Sequence, residues 1–444
     1  MDLARGSLLA LLYRVAGMVF WVLIGVITAR TLSTSDLGVY VSTVVVIQSV
    51  GAIVASFAAA SGYFVTKRAR PAAEVASNAL ALAVIVGGAA FALGLAGWLV
   101  YHGDHRTLVL LSGFSLFPIV GRHALGGVFL GTQRLWQYSF SINGPAYAGS
   151  LLLLIWVVAL DHRSTEGALA AWIAGQYVSF AVLLFMGRGW WGWLTSHRPD
   201  WQLIRGFVTF GAVMGLAGFI SFFNYRIDQL LVAALDGSTG AGIYSRAVAG
   251  SEALWLFSTS IATASYASIG SLDRHEAAEL TSRSVRHTLM IVISGATVLA
   301  LLAPVLLSVA FGERYREADD SLRLLCVGTA LFAPQSLLAN YFTVQMGRPW
   351  ISLSIALTSC AINAAVSVVL IPRLGYVGGA WATTISYASV AVLAVVFFLR
   401  TSDARFSDLW RPRRDDFLTY WRLLQRLRVR NPLPPSPPTP GAGA

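Results

Sequence analysis

The sequence predicts an all-α integral membrane protein with twelve transmembrane helices in two six-helix bundles. Apolar residues make up 56% of the 444 residues and charged residues 12%, whereas soluble domains carry about 25% charged residues. Apolar blocks of about 20 residues or more recur along the whole chain. Short motifs of the first half also return in the second half. These observations exclude a soluble globular enzyme.

Twelve apolar segments have about the 20 residues that a helix needs to cross the hydrocarbon core. Transmembrane barrel strands would be about 10 residues long with alternating polarity, and the segments show no such alternation. Each segment is therefore predicted to be one membrane-spanning helix. They cover residues 8–29, 38–64, 77–101, 107–131, 139–160, 167–187, 206–234, 241–268, 287–311, 321–346, 351–371 and 377–399.

The net charge is +11, from 32 Lys and Arg against 21 Asp and Glu. Basic residues concentrate in alternate connections and in the tail, which indicates membrane orientation by the positive-inside rule and no nucleic-acid partner. With an even number of spans, both termini are predicted to be cytoplasmic. The inner connections hold Lys67, Arg68, Arg70, Arg134, Arg188, Arg198, Arg205, Arg274, Arg283, Arg286 and Arg348.

The two halves of the chain share short motifs at a similar offset. Gly-Val-Tyr at 38–40 and Gly-Ile-Tyr at 242–244 are 204 residues apart, and a Gly-Ala-rich run ending in Trp at 167–172 corresponds to 378–381. An offset of six helices predicts parallel repeats related by a pseudo-two-fold axis along the membrane normal. The predicted domains are a lobe over 1–204, a lobe over 205–400, a basic amphipathic tail over 401–430 and a disordered Pro-rich end over 431–444.

Charged residues inside the predicted spans are the best candidates for function, because each costs about 2.5–3.5 kcal/mol at a helix centre. Arginines outnumber acids among them, so the interior is predicted to be cationic. Arg226 and Asp228 lie about 200° apart around one helix and cannot share a face. The alternatives for individual residues are structural pairing between helices and, for Arg246, snorkelling to the outer headgroups. The candidates are Arg14, Arg122, Arg226, Asp228, Arg246 and Glu252.

A cationic cavity requires an anionic partner, and the planar fork of arginine suits phosphate. A diphosphate headgroup fits this chemistry, whereas a carrier of cations would need buried carboxylates. The histidines have no metal-ligand spacing, and the sequence has no phosphate-binding loop, so we expect no metal and no cofactor. The stretch from Gly312 to Asp320 is predicted to be a solvated outer loop.

Several short motifs over about residues 1–400 resemble, in their order and spacing, those of the polysaccharide flippases of the multidrug/oligosaccharidyl-lipid/polysaccharide exporter superfamily. The resemblance implies two six-helix bundles around a cationic cavity, and flipping of polyprenyl-diphosphate-linked oligosaccharides across the bacterial plasma membrane. Lipid II flippases typically have two extra helices after the twelfth, and we expect none in the tail after Phe398, which disfavours that branch of the superfamily. The motifs are Ala29–Leu32 with Asp36–Tyr40, Phe129–Arg134, Arg226–Leu231 with Gly242–Ser245, Phe311–Tyr315 and Ile371–Ala380.

The same resemblance assigns roles to the charged residues. Arg14 and Arg246 match positions where such flippases carry basic residues, so they are expected to grip the diphosphate, with Arg122 and Arg226 as secondary sites. Asp228 and Glu252 are the candidates for ion coupling. The expected partners are undecaprenyl-diphosphate-linked oligosaccharide, membrane lipids, and polysaccharide polymerase and chain-length proteins. The alternative is a cation-coupled drug exporter of the same superfamily; a membrane enzyme is disfavoured because the outer loops are short.

Overall fold

The computed structural model describes residues 3–159, 164–190 and 199–411, and in these ranges every regular element is helical. The all-α prediction is therefore confirmed. The predicted tail helix over 415–429 and the Pro-rich end lie outside the described residues. The α-helices are α1 (Leu3–Thr31), α2 (Thr34–Val54), α3 (Ser56–Thr66), α4 (Ala72–Val100), α5 (Arg106–Gly131), α6 (Leu135–Ala159), α7 (Thr165–Met186), α8 (Trp201–Leu235), α9 (Gly237–Glu252), α10 (Trp255–Ser271), α11 (Arg274–Leu301), α12 (Ala303–Phe311), α13 (Asp319–Phe332), α14 (Gln335–Asn340), α15 (Pro349–Leu374), α16 (Tyr376–Thr401) and α17 (Phe406–Trp410).

Nine helical stretches of the described residues are long and apolar enough to cross a membrane. This makes the chain a multi-pass membrane protein. The other three predicted spans coincide with α1, with α6 and with the broken pair α9–α10. The nine stretches are Thr34–Thr66, Ala72–Val100, Arg106–Gly131, Thr165–Met186, Trp201–Leu235, Arg274–Leu301, Glu313–Gln345, Pro349–Leu374 and Tyr376–Thr401.

Large apolar side chains point outward from the helices. Leu93 on α4 is 75% exposed and Leu301 on α11 is 74% exposed. Water would oppose so many exposed apolar side chains, but hydrocarbon solvates them, and the helices keep their backbone hydrogen bonds internal as a membrane requires. The outer surface therefore matches lipid.

Short polar residues set the helix starts. The Ser33 hydroxyl accepts from the Asp36 N–H at 3.0 Å, and the Asp273 carboxylate accepts from the Glu276 N–H at 2.8 Å. Such caps satisfy backbone donors that have no partner in the first turn of a helix. Two helix ends lie at glycines with positive φ, Gly312 at 114° and Gly375 at 59°, a region that disfavours residues with a Cβ.

The helices of each half of the chain pack mainly on one another. In the first half α4 packs on α5, α6 on α7 and α1 on α6; in the second half α15 packs on α16, α13 on α16 and α8 on α15. The halves meet where α2 packs against α8 and α9, and where α3 packs against α8. The interface between the halves is therefore centred on α2, α8 and α9.

The prediction of a solvated loop over 312–320 is correct for the exposure of Glu313, Arg316 and Glu317 and wrong for the backbone. Residues Glu313–Ala318 form a 3₁₀ helix, and α13 begins at Asp319. Tyr315 is completely buried, and the Arg314 guanidinium donates to the carbonyl oxygens of Ala29 and Leu32 at the end of α1. The composition of the segment could not predict this packing, because it does not tell that the Tyr315 ring turns inward or that Arg314 binds the last carbonyl groups of α1.

Candidate functional site

Arg246 lies on α9, in the interface between the two halves. Its side chain is buried, with only 6% of the residue exposed. Nη1 donates to the carbonyl oxygen of Gly25 on α1 at 2.8 Å, Nε donates to the Ser245 hydroxyl at 3.1 Å, and the guanidinium carbon lies 5.4 Å from the ring centroid of Phe311. The predicted alternative of snorkelling to the outer headgroups is wrong, because α1 and α12 cover this face of α9.

The guanidinium of Arg246 retains binding capacity. An arginine has five N–H donors, and among the described residues the Nη2 group of Arg246 has no hydrogen-bond partner. The two hydrogen bonds that it does make are to neutral oxygens, so its charge is not neutralised by a carboxylate of the described residues. The two N–H groups of Nη2 are therefore the donors of Arg246 that remain without a partner among the described residues.

Arg226 and Glu252 form a two-pronged ion pair that joins α8 to α9. Nη1 lies 2.6 Å from Oε1 and Nη2 lies 3.1 Å from Oε2. The side chains are 20% and 22% exposed. Because each charge neutralises the other, neither Arg226 nor Glu252 is a lone intramembrane charge in this conformation.

Asp228 lies two residues after Arg226 but contacts different partners. It is 3% exposed. Its carboxylate accepts from the Tyr244 hydroxyl at 2.6 Å, the Thr383 hydroxyl at 2.8 Å and the Gln229 N–H at 2.8 Å. The separation of about 200° around the helix turns it away from the Arg226–Glu252 pair.

A second layer of polar groups continues from Asp228 into α15. The Asn363 amide donates to the Thr383 hydroxyl at 3.3 Å, and the Ser367 hydroxyl donates to Asn363 Oδ1 at 3.1 Å. All three side chains are buried. The network contains one carboxyl group, which can take up a proton, and several neutral oxygens.

Arg122 lies apart from these residues, inside the first half. Nε donates to Gln176 Oε1 on α7 at 3.1 Å, and Nη1 donates to the Ser141 carbonyl on α6 at 2.8 Å. Its partners are neutral and belong to helices that neighbour α5. The structure therefore does not bring Arg122 together with Arg226 or Arg246.

Arg14 lies in α1, but its side chain is outside the described part of the chain. The residues that follow it show where this part of α1 packs. A Cβ on Gly17 would lie 2.6 Å from Oδ1 of Asn143 on α6, so α1 approaches α6 closely here. The role predicted for Arg14 stays a prediction.

The sequence did not reveal a set of contacts that joins the halves at the end predicted to be external, which we call the outer closure. It consists of Arg30, Arg314, the Ser35–Ser238 pair and the Gly38–Gly242 pair. Arg30 Nε donates to the Ala310 carbonyl at 3.1 Å, and its Nη2 donates to the Val309 carbonyl. The Ser35 and Ser238 hydroxyls are 2.6 Å apart.

Glycine makes the closest part of the outer closure. A Cβ on Gly38 would lie 1.7 Å from the Ser238 carbonyl oxygen, and a Cβ on Gly242 would lie 1.9 Å from that of Thr34. Such small-residue contacts are common where membrane helices approach closely. The repeated Gly-Val-Tyr and Gly-Ile-Tyr motifs were the sequence signal for this contact, although nothing in one sequence says that the two copies touch.

Three solved structures share this fold. An inward-facing multidrug resistance MATE family transporter of the MOP superfamily covers 86% of this chain and 94% of its own, with a TM-score of 0.71 and 15% identity. The lipid II flippase MurJ in an inward closed conformation covers 96% and 94%, with a TM-score of 0.73 and 12% identity. An outward-facing MATE transporter covers 89% and 94% at a lower TM-score of 0.61 and 14% identity.

One curated relative, an uncharacterised membrane protein of Methanocaldococcus jannaschii, is 25% identical over 120 residues. The match covers 27% of this chain, and this chain spans only 24% of the length of that relative.

The chain is a multi-pass membrane protein with the fold of these transporter and flippase structures. A family model described as polysaccharide biosynthesis protein matches residues 27–320. The match covers about two thirds of the sequence, and the chain belongs to this polysaccharide biosynthesis family.

Proposed function

We propose that the protein is a flippase that moves polyprenyl-diphosphate-linked oligosaccharides across the plasma membrane for surface polysaccharide biosynthesis. The observation that carries the proposal is Arg246, whose guanidinium is buried between the halves, is held by neutral oxygens and keeps Nη2 available. A diphosphate offers the paired anionic oxygens that a guanidinium binds.

In this proposal the chain forms two six-helix lobes with twelve spans, and the lobes rock around a central cationic cavity. The described conformation has the outer closure formed, so the diphosphate would enter from the cytoplasmic side. The higher TM-score with an inward-facing transporter, 0.71 against 0.61 for an outward-facing one, supports this assignment of the conformation. Release outside would require the outer closure to separate.

Arg14 and Arg246 remain the proposed primary contacts to the diphosphate. Arg226 would join them only when its pair with Glu252 opens. Arg122 ties α5 to α6 and α7 in this conformation, so its proposed contact with the substrate would require the first lobe to rearrange.

Asp228 is the better supported of the two residues proposed for ion coupling. Its carboxyl group is buried and accepts only neutral donors, whereas Glu252 is neutralised by Arg226. A proton or a small cation bound at Asp228 would therefore change the net charge of the second lobe and could bias its movement.

The same carboxyl group favours a second candidate function, a cation-coupled exporter of small molecules. In that case Asp228 would exchange its proton or cation for the exported compound, and Arg246 would serve only to join the halves. The two functions differ in which of these residues is indispensable.

The proposed setting is a bacterial inner membrane with both termini in the cytoplasm. Membrane lipids would surround the protein, and polysaccharide polymerase and chain-length proteins would act on the flipped product.

The experiment that tests the flippase is transfer of a labelled undecaprenyl-diphosphate oligosaccharide between the leaflets of proteoliposomes. We expect Arg246→Gln to slow transfer about 10-fold or more, because one charge-assisted hydrogen bond contributes about 1.5–3 kcal/mol. Arg246→Lys should retain part of the rate. Arg316→Gln is the control, since this arginine is exposed and pairs locally with Glu313.

Equal rates for wild type and correctly folded Arg246→Gln would contradict the flippase proposal. Proton-driven export of a cationic dye from the same vesicles, lost in Asp228→Asn and retained in Arg246→Gln, would establish the exporter instead.

A further inference from the structure

A cluster of arginines surrounds a pocket at the end of the helices opposite the outer closure. The pocket has a volume of about 410 Å³. It is formed by the beginning of α11, the connection from α14 to α15 and the end of α16. We call it the arginine pocket and define it by its lining residues Arg274, Gln345, Met346, Arg348, Arg400 and Thr401.

Local structure places one arginine on each of three elements. Arg274 is the first residue of α11, Arg400 is in the last turn of α16, and Arg348 immediately precedes α15. The chain reaches Arg348 through a π-helical turn over Tyr341–Gln345 and through Gly347, whose φ is +64°. Glycine allows this φ and lets the chain turn so that Arg348 approaches α11 and α16.

One of the three guanidinium groups is fixed and two are available. Arg274 Nη2 donates to the Thr401 carbonyl at 2.6 Å, which anchors it beside the end of α16. The Arg348 and Arg400 side chains are exposed, and neither guanidinium has a hydrogen-bond or ion-pair partner among the described residues. Among the described residues that line the pocket there is no carboxylate.

Three like charges around one pocket repel one another, and an anion between them removes that repulsion. Phosphate is the best match, because guanidinium groups bind its oxygens in pairs. Trp350, two residues after Arg348, is 58% exposed. Aromatic side chains of this kind collect at the headgroup level, so we expect the pocket to lie near the membrane surface. Basic pockets between membrane helices on the cytoplasmic side bind anionic headgroups.

We propose that the arginine pocket binds the phosphate of an anionic lipid headgroup, one with net negative charge, at the cytoplasmic surface. This site is separate from the one around Arg246, because none of its lining residues belongs to α1, α8 or α9. The headgroup could belong to an anionic phospholipid or to a polyprenyl diphosphate. Both sources present the same phosphate chemistry to Arg348 and Arg400.

The test is native mass spectrometry of the full-length protein in detergent, titrated separately with phosphatidylglycerol, phosphatidylcholine and undecaprenyl diphosphate. Wild type should bind the two anionic lipids more tightly than phosphatidylcholine. The double variant Arg348→Gln, Arg400→Gln should bind them about 10-fold more weakly, since two charge-assisted contacts are lost.

The matched control is Arg68→Gln, Arg205→Gln, which removes two exposed arginines from the same predicted face but outside the pocket. Tighter binding of undecaprenyl diphosphate would assign the pocket to the polyprenyl lipid, and tighter binding of phosphatidylglycerol would assign it to phospholipid; either supports the phosphate site. Equal binding of phosphatidylcholine by wild type, or equal losses in the two double variants, would overturn it. Unfolding temperatures measured in parallel ensure that each variant is folded.

Discussion

Gly38 and Gly242 occupy equivalent positions in the two copies of the repeated motif, and each lies against the backbone of the other copy. The Cβ of an alanine at position 38 would lie 1.7 Å from the Ser238 carbonyl oxygen. The Cβ of an alanine at position 242 would lie 1.9 Å from the Thr34 carbonyl oxygen. Since backbone atoms cannot yield as a flexible side chain does, these glycines determine how closely α2 and α9 approach. The outer closure therefore depends on glycine in both halves.

The first prediction concerns this approach. In a background with Cys326 and Cys360 replaced by alanine, Ser35→Cys and Ser238→Cys should form a disulfide readily, because the native hydroxyls are 2.6 Å apart. Adding Gly242→Ala should lower the cross-linked fraction several-fold, since overpacking of this kind costs about 1–3 kcal/mol. Gel mobility under non-reducing conditions measures the yield.

The control for that cross-link is Gly88→Ala, because no atom lies within 4 Å of a Cβ at Gly88. It should leave the yield unchanged. Identical yields in Gly242→Ala and Gly88→Ala would show that the α2–α9 contact does not set the closure.

The second prediction concerns the arginines of the outer closure. Arg30 and Arg314 donate to carbonyl groups on the opposite half of the chain. The double variant Arg30→Gln, Arg314→Gln should increase opening of this end, because the contacts are replaced by weaker neutral ones. We expect the rate of maleimide labelling of Ser35→Cys to rise several-fold in detergent, in the same cysteine-free background.

Arg316→Gln is the matched control for the outer closure, since Arg316 pairs with Glu313 on its own turn at 3.1 Å. An equal rise in labelling in this variant would indicate a general effect of charge and would show that Arg30 and Arg314 do not hold the outer closure together.

The third prediction concerns ion coupling. Asp228→Asn keeps the size of the side chain and an oxygen acceptor for the Tyr244 and Thr383 hydroxyls, but it removes the charge. Transport by this variant should lose its dependence on pH or sodium. Vesicle transport at several imposed gradients measures that dependence. Asp320→Asn, with a side chain that is 72% exposed, is the control; unchanged gradient dependence in Asp228→Asn would exclude coupling at this residue.

The fourth prediction concerns the Arg226–Glu252 pair. Each single change, Arg226→Gln or Glu252→Gln, leaves a partly buried charge without its partner. The losses in the free energy of unfolding of the two single variants should therefore add up to more than the loss in the double variant. For two groups in direct contact we expect a coupling free energy of about 1 kcal/mol in a double-mutant cycle. Reversible unfolding in mixed micelles measures it, and simple additivity of the two single changes would show that the pair contributes nothing.

Much of the fold could be predicted because hydropathy acts locally. The apolar segment predicted over 107–131 coincides with α5, and the segment over 377–399 lies within α16. Over 312–320 the exposure of the charged side chains was predicted correctly, whereas the helical backbone was not. Composition could not show that Tyr315 packs inward or that the Arg314 guanidinium reaches the end of α1.

The candidate site was predictable only residue by residue. A charge inside an apolar segment is costly, and that rule alone selected Arg122, Arg226, Asp228, Arg246 and Glu252. The rule does not predict which residues these charges bind. Arg246 donates a hydrogen bond to Gly25, which is 221 residues away, and Asp228 accepts one from Thr383, which is 155 residues away. Helical periodicity tells which residues share a face, but not which face of another helix lies opposite.

By itself the sequence determined a helical membrane protein, the approximate position of each apolar segment and the identity of its intramembrane charges, because the cost of placing polar groups in hydrocarbon depends on each short segment alone. Only the tertiary structure decided which charges are neutralised. It paired Arg226 with Glu252, left Asp228 among neutral donors and placed Arg246 between the halves. Those outcomes depend on how distant helices pack, and packing is a property of the whole fold.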